Sequence, residues 1–193
     1  GSFGLMSCFS FFPGKNLGAC GEGGGITTND ESIRNKLQSL RNHGSTKKYY
    51  HDEIGYNYRM GGLEAASLKV KLKYLESWNQ RRVEIAKKYF ERINNSKIVF
   101  QKQPEWSDSV FHLFVVMVER RQEFIEYLER NNILPGLHYP VPCHLQKSYK
   151  FLEHKEGDFP NSELLAKNCV SLPIFNELSF EEVDYIIDVV NKY

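Results

Sequence analysis

The sequence predicts an α/β chain in two parts. Three observations carry that expectation. A short apolar run, a spray of glycines and a second short run precede a helical pattern. A long helical pattern then extends from Leu63 to about Asn94. Beyond it, apolar strand-like runs alternate with amphipathic helical ones, as in a small α/β or α+β domain. The boundary is expected inside the long helix, with residues 1–77 forming one part and 78–193 the other.

The first run, "GLMSCFSFF", reads as a short buried strand, rich in aromatics with small residues at alternate positions. Gly14, Gly18, Gly21 and Gly23 to Gly25 demand a tight, irregular backbone after it. "GGGITT" supplies a second strand. Thr28 and Glu31 have capping-box spacing, Ile33, Leu37 and Leu40 recur at helical spacing, and Gly44 suits a stop. A helix is therefore expected from Asn29 to His43.

Residues 44–62 form a long polar-aromatic loop, whose tyrosines and His51 argue for contact. In the long helix, one stripe holds Leu63, Ala66, Val70, Tyr74 and Ser77, and a second holds Leu68, Leu72 and Leu75. Such a helix packs on two sides. "KIVFQ" and "VFHLFVVMV" read as strands, the second apolar on both faces except for His112, which is expected to be a satisfied core histidine. "ERRQEFIEYLERNN" and "SFEEVDYIIDVVNKY" read as amphipathic helices, the latter opened by Ser179 and Glu182.

Composition sets bounds on function. The 193 residues are 41% hydrophobic and 25% charged, which is the globular average. Lysine and arginine total 25 against 24 acidic residues, so no strong field favours nucleic acid or an anionic membrane. No apolar run approaches the roughly 20 residues of a membrane helix. Gly1 to Phe12 lacks the pattern of a signal peptide. Four cysteines without a C-x-x-C pair favour a reduced, cytoplasmic protein over a disulfide scaffold. His138, Cys143 and His144 crowd together in "LHYPVPCH", but their spacing fits no zinc pattern, and no metal is expected.

Lys15, in "FSFFPGKNLGACGEGGG", attracts the most chemistry. A phosphate loop would need glycine at Phe9 and Ser or Thr at Asn16, so that reading fails twice. The dinucleotide fingerprint fails as well, because Ile26 stands where its last glycine belongs. What remains is either a surface lysine on a glycine loop or a nucleophile. Lys15 follows a strand, and strand ends are where open α/β sheets place ligands. Phe9, Phe11 and Phe12 could give it apolar surroundings, which favour the neutral, attacking amine. A hydroxyl and bare glycine N–H groups nearby could bind an anion. Lysine plus an anion site is the minimum equipment for pyridoxal 5'-phosphate.

The segment just quoted, with "LRNHG", "GYNYRMGGLEAA", "LHYPVPCHLQ", "FPNSELLAKNCVSLPIF" and "SFEEVDYIIDVV" in that order, resembles the DegT/StrS family of nucleotide-sugar aminotransferases. The resemblance covers essentially the whole chain. It implies a type I pyridoxal-phosphate fold: the end of the large-domain sheet, a connecting helix and a small α/β domain. Lys15 would bond the cofactor aldehyde, Ser10 would hold its phosphate, and Asn57 would reach across a homodimer interface to the partner's cofactor phosphate. Read from composition alone, Ser10 is a small strand residue and Asn57 a turn residue. His43, Arg59 and His144 lie in family-like segments and could touch the sugar nucleotide. Each could equally be a surface or capping residue.

The implied reaction moves an amino group from an amino acid, glutamate by resemblance, to a keto group of a nucleotide-linked deoxysugar. The product would serve a surface polysaccharide or a glycosylated compound. A related dehydrating branch carries histidine in place of the lysine, so Lys15 speaks for transamination. Family members are about twice this length. Their first half holds the aspartate that pairs with the pyridine nitrogen, an aromatic that stacks on the ring and a second phosphate loop. The chain is therefore expected to correspond to a C-terminal half. The other half could be a separate chain, lost by truncation or proteolysis, or outside this stretch. Two rivals stay open: a non-catalytic dimerisation piece, and a cofactor-dependent sugar dehydratase. A strand and loop taken from a larger sheet should expose apolar surface, so the chain alone should fold poorly or pair tightly.

Overall fold

A computed structural model describes all residues, Gly1 to Tyr193. The chain divides into two compact units, Gly1–Glu76 and Ser77–Tyr193.

In the first unit, β1 (Met6–Ser10) and β2 (Gly24–Thr28) form an antiparallel pair with Ser10 opposite Gly24 and Met6 opposite Thr28. β1 is a strand as expected, but it is not buried. Met6 and Phe9 are each more than two-fifths exposed. A two-stranded sheet has too little apolar area to bury a face without a second layer. The apolar exposure expected of such a hairpin is therefore present, at Phe3, Leu5 and Ile26 as well.

Helix α1 spans Glu31–Leu40, shorter at both ends than the expected Asn29–His43. The expected Thr28/Glu31 capping box does not form. Asp30 is the cap: its Oδ1 accepts from the backbone N–H of Ser32 (2.8 Å) and Ile33 (3.1 Å). Thr28 is still in β2, where its hydroxyl donates to Leu5 O at 2.7 Å and accepts from Asp30 N at 3.1 Å. The helix closes through His43 (φ 62°) and Gly44 (φ 67°). A Cβ on Gly44 would fall 1.8 Å from Glu53 O, so only glycine fits there.

The long loop then folds back on the end of α1. Tyr56 N donates to Leu40 O (2.6 Å), His43 N to Tyr56 O (2.9 Å) and Tyr58 N to Arg41 O (3.0 Å). Tyr56 and Tyr58 stack with centroids 4.8 Å apart.

The single helix expected from Leu63 to about Asn94 is two helices, α2 (Gly62–Lys71) and α3 (Leu75–Arg92). Between them Tyr74 N bonds Lys71 O and Leu75 N bonds Leu72 O, a tightened turn. The two helices bury different stripes. α2 buries Leu68, whereas α3 buries Ile85, Ala86 and Tyr89. Leu68 and Ile85 would stand about 100° apart on one straight helix.

The second unit is a three-stranded antiparallel sheet of order β3 (Val99–Phe100), β4 (Phe114–Met117), β5 (Cys169–Leu172), packed with α3, α4 (Arg121–Arg130) and α6 (Phe180–Lys192). β4 starts later than expected, because Phe111 has φ 43° and leaves extended geometry. Phe114 and Val116 are fully buried while Val115 and Met117 are half-buried, so only one face is sealed. His112 lies before the strand and is half-buried rather than in the core. Tyr89, Phe124, Leu128, Val170, Val183 and Ile187 fill the centre. Helix α6 carries the expected capping box: Glu182 N donates to Ser179 Oγ (3.1 Å) and Ser179 N to Glu182 Oε2 (2.8 Å). Helix α5 (Pro160–Asn168) runs directly into β5.

Candidate active site

The loop from Phe11 to Gly23 connects the paired ends of β1 and β2 and carries Lys15. Three contacts close it. Phe11 N donates to Gly23 O and Ala19 N donates to Phe11 O, both at 2.8 Å, and Lys15 N donates to Phe12 O at 2.9 Å. The last bond makes a tight turn that sets Lys15 just beyond the strand end. Gly18 lets the loop cross itself: a Cβ there would lie 2.2 Å from Pro13 O. Lys71 of α2 donates from Nζ to Gly18 O at 2.8 Å and ties the loop to that helix. Ala19 is fully buried beneath it.

Lys15 is half-buried, and its ammonium has no hydrogen-bond or ionic partner in the protein. Ser10 Oγ accepts from Phe12 N at 3.3 Å, which leaves its hydroxyl hydrogen free to donate. The loop therefore offers an unpaired amine and a free hydroxyl at one strand end. The expected apolar enclosure is only partly built in this chain. Phe11 covers the glycine strand, but Phe9 and Phe12 are about half exposed.

Asn57 lies on the returning loop, where it forms an isolated antiparallel bridge with Asn42. Its side chain is exposed and fixed in place only through its backbone. Arg59, two residues on, donates to Asn42 Oδ1 at 2.9 Å. His43 sits at the left-handed turn, and its carbonyl contacts His51 Nδ1 at 2.9 Å. His144 belongs to the other unit. Its buried ring lies 3.0 Å from Glu163 Oε1 and against the Phe159 ring. Glu163 also accepts from Gly157 N (2.9 Å) and Phe159 N (3.3 Å). These bonds, Gly157 foremost, hold its carboxyl below the ordinary glutamate range. His138 Nδ1 lies 2.8 Å from Ser171 Oγ. The sequence marked Gly18 as a tight-backbone glycine; it did not single out Lys71, Asn42 or Glu163. Lys71 reaches Gly18, Asn42 receives Arg59 and Glu163 faces His144, each pair far apart in sequence, so no local motif marks them.

A family model described as DegT/DnrJ/EryC1/StrS aminotransferase matches residues 1–191. The chain belongs to this family. It is 47% identical over 193 residues to a dTDP-3-amino-3,6-dideoxy-alpha-D-galactopyranose transaminase of Aneurinibacillus thermoaerophilus, covering 100% of this chain and 53% of that protein. It is 41% identical over 182 residues to the erythromycin biosynthesis sensory transduction protein EryC1 of Saccharopolyspora erythraea, covering 94% and 50%. Among solved family structures, DesV of S. venezuelae in complex with a ketimine intermediate superposes with a TM-score of 0.94 at 38% identity, covering 98% of this chain and 52% of DesV. A Brucella abortus member superposes at 0.91 and 32% identity, covering 98% and 51%. The chain spans about half the length of the curated relatives it matches. The type I fold expected from the sequence is the fold of these relatives.

Proposed function

We propose that this chain is the lysine-bearing half of a pyridoxal-phosphate-dependent sugar aminotransferase. The donor is an amino acid, glutamate in our reading, and the acceptor is a keto group on a nucleotide-linked deoxysugar. Residues 1–77 would be the remainder of the large cofactor-binding domain, and residues 78–193 the connecting helix and small domain. The observation that carries the reading is the loop itself: an unpaired lysine amine beyond a strand end that also presents a free serine hydroxyl.

That donor set suits the cofactor. Bound pyridoxal phosphate supplies an aldehyde and an electron sink for the carbon that loses its proton. Lys15 would bond the aldehyde and, once displaced, its amine would be placed to move a proton at the substrate carbon. Ser10 would donate to a phosphate oxygen. Asn57, exposed and held by its backbone bridge, is suited to reach a partner subunit's phosphate in a homodimer. His43, Arg59 and His144 are candidates for sugar-nucleotide contact. No helix is long and apolar enough to cross a membrane.

The test is amino transfer. The chain, mixed with the complementary half of a family member, pyridoxal phosphate, glutamate and a dTDP-linked keto sugar, should release 2-oxoglutarate. Lys15→Ala should lower that release by at least a thousand-fold. Sugar dehydration without 2-oxoglutarate would favour the elimination rival, and full activity in Lys15→Ala would refute the assignment.

A further inference from the structure

Within the first unit, the returning limb of the lysine loop lies along α2. A Cβ on Gly23 would fall 3.4 Å from Met60 Cε, just before the helix. A Cβ on Gly21 would fall 3.4 Å from Oε1 of Glu64, in the first turn. Lys71 stands about two turns beyond Glu64 on the same face of the helix. Its Nζ reaches Gly18 O at 2.8 Å, and Gly18 is buried.

Gly18 O and Ala19 N belong to one peptide group. Lys71 holds its carbonyl, and Phe11 O holds its N–H, both at 2.8 Å. A peptide group is planar and turns as one piece, so two holds on opposite sides fix its orientation. This peptide closes the ring of chain from Phe11 to Ala19, and Lys15 lies within that ring. Gly18 also crosses Pro13, where a Cβ would stand 2.2 Å from Pro13 O. A rotation at Gly18 is therefore passed on to the turn that begins at Phe12 and sets Lys15. A buried carbonyl needs a donor, and an ammonium makes a stronger bond than a neutral N–H. The last turn of α2, where Lys71 sits, also favours a cation.

We infer that Lys71 is a positioning residue for Lys15. By orienting the Gly18–Ala19 peptide, it holds the loop in the shape that presents the Lys15 amine beyond the strand end. It acts through the loop backbone and not by touching the cofactor. This role rests on Lys15 bonding the cofactor aldehyde, as proposed above.

The experiment compares Lys71→Met, Lys71→Arg and Lys69→Met with the wild-type chain; Lys69 is exposed on the same helix. Hydrogen exchange at Ala19 N should be about ten-fold faster in Lys71→Met, with the amides of the β1–β2 pair unchanged. The second readout is the rate at which pyridoxal phosphate, and separately phosphate-free pyridoxal, is trapped on Lys15 by borohydride, relative to label on the other lysines. Lys71→Met should slow both aldehydes by the same factor, about ten-fold. Lys71→Arg, which keeps a charged donor, should recover most of each loss, and Lys69→Met should match the wild type. Slowing with pyridoxal phosphate alone would make Lys71 a phosphate contact and overturn the positioning role. Loss of protection throughout the unit would overturn it as well, because Lys71 would then hold the unit rather than the loop. Unchanged exchange at Ala19 beside a normal wild-type label on Lys15 would overturn the positioning role alone. No label on wild-type Lys15 would overturn the aldehyde reading and the positioning role with it.

Discussion

Replacing Arg82 with methionine tests how the second unit is held together. Arg82 is 6% exposed, and burial lowers its pKa below the ordinary arginine value. Its Nη1 donates to three carbonyls: Ile174 O at 2.9 Å, His112 O at 3.2 Å and Phe111 O at 3.3 Å. The first lies just after β5 and the other two just before β4, so one side chain pins α3 to two connections. Methionine keeps the aliphatic packing and leaves the three acceptors without a donor. Each costs about 1 kcal/mol or more, giving about 3–4 kcal/mol. The buried Nε has no partner in the wild type, and removing it returns about 1 kcal/mol. The net loss is about 2–3 kcal/mol. Both tryptophans, Trp78 and Trp106, lie in this unit, so their fluorescence in urea reports its unfolding. With a urea slope of about 1.5 kcal/mol/M, the midpoint should fall by about 1.3–2 M. Lys87→Met, at an exposed i,i+4 pair with Glu91, should move it by less than about 0.3 M. An unchanged midpoint in Arg82→Met would refute the reasoning.

Gly18→Ala should open the lysine loop, because the new Cβ meets the Pro13 carbonyl, which cannot move aside as a side chain tip could. Hydrogen exchange at Ala19 N, bonded to Phe11 O, should rise at least ten-fold, whereas Gly62→Ala, with open space at its Cβ, should change nothing there. Retained protection in Gly18→Ala would count against the crossing geometry. The Glu163 carboxyl, held below its ordinary 4.5 first by the Gly157 N–H, contributes stability that is fully present above pH 4.5. That contribution is lost as pH falls through the lower folded value. The urea midpoint of the wild type should therefore drop more steeply between pH 5 and about 3 than that of Glu163→Gln. Parallel profiles would show that the bonds to Gly157 and Phe159 do not persist in solution.

Much of the fold was legible because local signals agreed with the final packing. In α6 the capping pair Ser179/Glu182 and the apolar period both point to one helix, and that helix forms. Where signals competed, the structure chose by context. Thr28 and Asp30 are both acceptable caps, and Thr28 lost because β2 pairing extends through it. The helix break at Leu72–Tyr74 carries no glycine or proline. The break is a tightened turn of i→i+3 bonds, Tyr74 N to Lys71 O and Leu75 N to Leu72 O, which the apolar period does not display. Helix α5 and β5 were not read from periodicity because Cys169 closes the helix and begins the strand, leaving no turn residues between them. Arg82 reads as solvent-facing by its charge, and only the three converging carbonyls explain its burial. For the candidate site, the strand–glycine pattern and the family resemblance pointed to Lys15 and Ser10, and the structure sets both at one strand end. The crossing at Gly18 and the Lys71 tether were not, since both join residues through space.

The central claim is that Lys15 is the residue that bonds pyridoxal phosphate. Incubation of the chain with the cofactor, reduction with borohydride and peptide mapping test it most directly. The account predicts one pyridoxyl group on Lys15, lost in Lys15→Arg and weakened in Ser10→Ala. A label on another lysine, or a label that survives Lys15→Arg, would contradict it.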